Sequence, residues 1–188
     1  MQGTPDFRPG WPLRTEDRVF PDAPGQFGAV RRYDVHTGVD LYCAPGTEVI
    51  AMEPGRVVGV EPFTGAWVSH DPSPWWNDTA AILVQGASGM VVYGEVSPEK
   101  IQVRVWETVT AGQGLGWVDV PVLRRSKGRP TVMLHLELYT SLAENGEHLV
   151  WWRRGEPCPT RLRDPTFLLW PWVTRHFQSP RGESGSGP

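Results

Sequence analysis

Between positions 131 and 139 apolar and polar residues alternate: Val132, Leu134, Leu136 and Leu138 fall on one face of an extended chain, and Met133, His135, Glu137 and Tyr139 on the other. This period of two predicts a strand with its leucine face in a core. The opposite face mixes a thioether, an imidazole, a carboxylate and a phenol, and is expected to line an open groove. The same period puts Val91, Tyr93, Glu95 and Ser97 on one face of a second strand, so Tyr93 and Glu95 are expected in the same groove as His135. Apolar runs at 47–52 and 56–60 flank Glu53-Pro54-Gly55, and those at 81–85 and 90–96 flank Gly86-Ala87-Ser88-Gly89. The turn chemistry predicts two hairpins in a four-stranded meander.

Elsewhere periodicity is absent. Residues 1–30 read as an irregular N-terminal arm packed on the domain through Trp11 and Phe20, 31–170 as the β domain, and 171–188, ending Gly-Ser-Gly-Pro, as a disordered tail. Residues 62–79 are broken by proline and predict a surface loop, whose Trp67, Trp75 and Trp76 either fold onto the domain or grip a ligand. Helix is scarce, limited to a short turn at 167–170 after Asp164-Pro165. With 21 Gly and 19 Pro among 188 residues, the fold class is mainly β, a compact antiparallel sheet domain.

Charge narrows the partners. The net charge of -3 is spread along the chain without a basic block, which argues against nucleic acid or a polybasic membrane contact. No apolar run reaches the roughly 20 residues of a membrane span, and Met1 to Arg18 carry Pro, Asp and Glu where a signal peptide needs an apolar stretch. The expectation is a soluble chain that stays where it is made, its oligomeric state open. Cys43 and Cys158 permit at most one disulfide, with two separate thiols slightly favoured.

His36-Thr37-Gly38-Val39-Asp40 places an imidazole and a carboxylate four residues apart. In a straight strand their Cα atoms would be about 13 Å apart, too far for one ion, so the chain must bend, and Gly38 is where it can. Taken with His135, they make two imidazoles and a carboxylate, a catalytic-type zinc set with a fourth position free. His70, His148 and His176 sit in loops or the tail and read as surface residues.

The run His36-Thr37-Gly38-Val39-Asp40-Leu41, then Ala44-Pro45-Gly46-Thr47-Glu48-Val49, then Gly55-Arg56-Val57-Val58 resembles the opening of the lysostaphin-like zinc endopeptidases, which cleave peptidoglycan cross-bridges. Phe27-Gly28, the segment 109–116 and Asp164-Pro165 fit the same family in order. The resemblance implies a Zn²⁺ cofactor on His36, Asp40 and His135, with Glu137 supporting the site from behind. It also implies a peptide, glycan or peptidoglycan-like ligand in the groove and the extracytoplasmic setting usual for the family.

Two positions depart from the family. Met133 and Glu95 stand where its two non-ligand catalytic histidines belong. Amide cleavage needs a positioned base and an oxyanion stabiliser beyond the metal, and general acid–base catalysis alone contributes about 10²–10⁴-fold. The first expectation is therefore a degenerate, zinc-holding peptidase domain used for binding. The second is an active hydrolase in which Glu95 is the general base and Tyr93 helps hold the oxyanion. The third is a domain merely stapled by zinc, which would unfold on chelation.

Overall fold

The structure, a computed structural model, describes residues 10–16, 18, 25–68, 72–125, 131–143 and 148–169. Phe20, His70, Asp71, His176 and the tail at 171–188 lie outside them. Among the described residues nine strands carry the fold: β1 (Val39–Tyr42), β2 (Thr47–Ile50), β3 (Gly55–Thr64), β4 (Thr79–Gly86), β5 (Gly89–Val96), β6 (Thr108–Val109), β7 (Gly114–Val118), β8 (Met133–Tyr139) and β9 (Leu162–Arg163). All pairings are antiparallel. The large sheet runs β1-β8-β5-β4-β3-β6, with β9 also paired to β8, and β2 and β7 form a second, two-stranded sheet. Among the described residues helix is limited to one turn at Pro98–Lys100 and another at 166–169. The mainly antiparallel β expectation holds.

The meander is real for β3, β4 and β5, which pair in sequence order. The first expected hairpin does not form. β2 pairs with β7, and Leu13 bridges to Val49 on its other side. Glu53-Pro54-Gly55 therefore carries the chain from one sheet to the other. Pro-Gly specifies a reversal but not the strand's partner, which is chosen by burial of Val49 with Leu115 and Val118 in the main core.

Two apolar clusters cover the sheet. The larger joins Val91, Tyr93 and Val96 of β5 and Leu134, Leu136 and Leu138 of β8 to the β2–β7 sheet and to Trp11 and Leu13 of the N-terminal arm. The smaller holds Met90, Val92, Tyr139 and Leu162. Val132, Leu134, Leu136 and Leu138 are all buried, as their alternation requires. Cys43 is half-buried and Cys158 exposed, both as free thiols.

Candidate metal centre and groove

Register brings the first two site residues together. β1 lies along β8 with Asp40 opposite His135, so their side chains share one face as a cross-strand pair. His36 precedes the strand, held by backbone bonds from Gly28 N–H to its carbonyl (2.9 Å) and from its own N–H to Ala29 (3.0 Å). The chain bends at Gly38 before entering β1. A Cβ there would stand 2.3 Å from the Leu136 carbonyl oxygen and 2.8 Å from His135 Nε2, so only glycine lets the bend lie this close to β8.

Three atoms converge as a result. His36 Nε2, Asp40 Oδ1 and His135 Nδ1 form a triangle with edges of 2.9, 3.1 and 3.1 Å. Tetrahedral bonds of about 2.0–2.1 Å place neighbouring ligand atoms about 3.3 Å apart, so the triangle is within a few tenths of an ångström of a zinc-type site. The outer ring nitrogens set the tautomers. His36 Nδ1 donates to the Gln26 carbonyl (2.9 Å) and His135 Nε2 to Glu137 Oε1 (3.0 Å), which leaves each inner nitrogen a lone pair. Glu137 is itself held by Thr37 Oγ1 and by Tyr139, whose hydroxyl donates at 2.7 Å.

Three lone pairs at this distance require a cation between them, either a proton or a metal. The charges respond accordingly. Burial opposes ionisation of Asp40, but bonds to His135 and His36 outweigh it and hold the carboxyl well below the usual carboxylate range. Burial lowers His36. It also disfavours the charged form of His135, yet bonds to Asp40 and Glu137 prevail and push that ring up to about 10. In the metal-free protein His135 thus carries the site's proton below that pH, and a metal must displace it. Calorimetry in buffers of differing ionisation enthalpy is expected to show proton release on metal binding at pH 7, with apparent affinity rising as pH increases. Affinity independent of pH from 6 to 9 would contradict this.

Glu95 reaches the same cavity by an irregularity. Between β4 and β5 the register slips, with Ala80 opposite Val96 but Ile82 opposite Tyr93, and Glu95 takes φ of +64°, the left-handed region that costs a side-chain-bearing residue about 1–2 kcal/mol. The bulge turns its side chain to the cavity, where Oε2 accepts from Thr79 Oγ1 (2.7 Å) and Thr64 Oγ1 (3.1 Å). Burial pushes the Glu95 carboxyl up to about 7 against the pull of those hydroxyls.

Tyr93 does not join it. Tyr93 pairs with Leu136 and Gly94 with His135, so the Tyr93 ring falls on the core face, where its hydroxyl accepts from Met52 N–H (2.9 Å). Its expected place in the groove is corrected accordingly. Tyr139 shares the His135 face but is buried in the smaller core and does not line the cavity, contrary to its expected place in the groove. Met133, His135 and Glu137 do line the cavity.

The cavity encloses about 400 Å³. Its lining includes Leu149, Val150 and Trp151 from one segment and Trp76 and Leu123, which an isolated bridge joins, from two others. Phe63 lies over the His135 ring at 5.2 Å between centroids, in space left by Gly94, where a Cβ would meet the Phe63 ring at 2.6 Å. Thr64, Thr79, Phe63 and Arg31 have no signal in the sequence; the first three are placed by the β3 and β4 strands and Arg31 by its bonds to Asp34 and Asp40. His148 stands apart from the triad, its Nδ1 accepting from Ala143 N–H at 3.3 Å.

No family model and no curated protein matches the chain. Solved structures do. That of cbpa from L. salivarius REN superposes with a TM-score of 0.57 at 18% identity, covering 89% of this chain and 98% of that one. The antimicrobial peptidase lysostaphin from Staphylococcus simulans matches at 0.48 and 21% identity over 90% of this chain, which spans 55% of that longer one. A zinc containing peptidase from Vibrio cholerae matches at 0.45 and 19%, over 69% of this chain and 35% of that one. In fold, the chain is similar to cbpa.

Proposed function

We propose that the chain holds one zinc ion on His36, Asp40 and His135 at the floor of a peptide-binding groove, and that it recognises peptidoglycan-type or related peptides with weak or no hydrolysis. The observation that carries this reading is the triangle of lone pairs, 2.9–3.1 Å on a side, facing an aromatic-walled cavity. When bound, zinc supplies Lewis acidity to a ligand carbonyl. Met133 offers a thioether beside it, which neither gives nor takes a proton. Glu95 is tethered through Oε2 to two hydroxyls. An extracytoplasmic, cell-wall setting accords with this reading. Among the described residues no helix is long and apolar enough to cross a membrane.

One observation favours the hydrolase reading. A buried carboxyl raised to about 7, held in a strained backbone beside a candidate metal centre, has the properties of a general base. Three proteins separate the two: the natural chain, Glu95→Gln, and the double variant Glu95→His with Met133→His, each zinc-loaded and assayed on peptidoglycan and glycine-rich peptides. The expected result is that the natural chain binds without cleaving, and that cleavage emerges only in the double variant. Cleavage by the natural chain that Glu95→Gln abolishes while zinc is retained would instead make Glu95 the base.

A further inference from the structure

We propose that the groove is built for a peptide that ends there, with a free C-terminal carboxylate received by Arg31 and an apolar side chain laid against the lining that includes Trp76 and Trp151. This rests on the peptide-groove reading above and names its ligand class. Arg31 directs one Nη to Asp40 Oδ2 at 3.1 Å, the carboxylate oxygen that neither histidine uses. Among the described residues its guanidinium makes no other bond. It lines the cavity, about one third exposed, and it is the one Lys or Arg in that lining among the described residues.

A guanidinium offers five N–H donors in a planar fork that matches a carboxylate. One is spent on Asp40 Oδ2 at 3.1 Å, so the rest are separated from the triad by at least that hydrogen bond and the width of one carboxylate group. A terminal residue spans that interval: its carboxylate meets Arg31 while the preceding carbonyl lies over the triad. The acidic neighbours leave room for this. Asp40 is engaged by both histidines, Glu137 by His135, and Glu95 by Thr64 and Thr79, while Asp34 makes no ion pair with Arg31. Among the described residues the lining holds no Lys or Arg besides Arg31, and it presents Trp76, Leu123, Val150 and Trp151 to an apolar side chain.

The test compares N-acetyl-glycyl-phenylalanine with its C-terminal amide on the zinc-loaded full chain, by calorimetry and tryptophan fluorescence. The acid is expected to bind at least about 10-fold tighter, the lower end for hydrogen bonds to a charged group. Arg31→Gln should bring the ratio near one, and Arg31→Lys should keep part of it, with zinc content measured in each because Arg31 also touches Asp40. Equal binding of acid and amide by the natural chain would overturn the carboxylate assignment and leave the groove standing. An acid preference that survives in zinc-loaded Arg31→Gln would assign the anion to the metal and overturn it equally. Binding of neither peptide would overturn the groove reading and this inference together.

Discussion

His135→Ala is expected to lose its zinc. The natural chain should purify or reconstitute with one zinc per molecule, and the variant should fall to a small fraction of that by elemental analysis. The ring supplies one of the three inner lone pairs, and its removal leaves His36 and Asp40 as two ligands. Glu137→Gln provides the graded control. It keeps every ligand but weakens the partner that fixes the His135 tautomer, and losing such a partner typically lowers metal affinity about 10–100-fold. Affinities are therefore expected in the order natural chain, Glu137→Gln, His135→Ala. The same order should appear in the rise of melting temperature on adding zinc, since a ligand that binds only the folded state stabilises it by mass action. Full zinc occupancy in His135→Ala would refute the assignment.

The second large effect concerns a residue with no chemistry of its own. Gly38→Ala would drive a methyl into the Leu136 carbonyl at 2.3 Å and into His135 Nε2 at 2.8 Å, and the first of these is backbone that cannot rotate away. Overpacking of this kind costs about 1–3 kcal/mol, and more where the obstacle is main chain. Relief requires β1 to move off β8, which separates Asp40 from His135. A lower melting temperature and loss of zinc are expected together, measured by thermal unfolding and elemental analysis. A variant with natural stability and natural zinc content would mean that the β1–β8 approach is looser than it stands here.

The leucine face of β8 was legible because one strand's alternation needs no knowledge of its partner; Leu134, Leu136 and Leu138 went where a period of two puts them. The triad was legible for a different reason, since the spacing of His36, Gly38 and Asp40 demanded a bend and the family motif named His135. Tyr93 was misread because phase between strands is set by register. With Tyr93 opposite Leu136 its ring is in the core, and only the left-handed Glu95 restores a carboxylate to the groove two residues later. No apolar pattern announces a bulge at a glutamate. β2 was misassigned because its partner β7 lies more than sixty residues away, beyond what Glu53-Pro54-Gly55 can specify. The two threonines on Glu95 were invisible for a related reason, since they reach it from neighbouring strands, and Arg31 reaches Asp40, 9 residues on, across a bend whose direction no apolar pattern gives.

The most direct test of a metal centre at the floor of this groove is an anomalous difference map, collected at the zinc absorption edge from crystals of the zinc-loaded chain. The expected result is a single strong peak bounded by His36 Nε2, Asp40 Oδ1 and His135 Nδ1, and facing the cavity lined by Met133 and Glu95. A peak elsewhere on the chain, or none at these three atoms in crystals that contain zinc, would contradict the account.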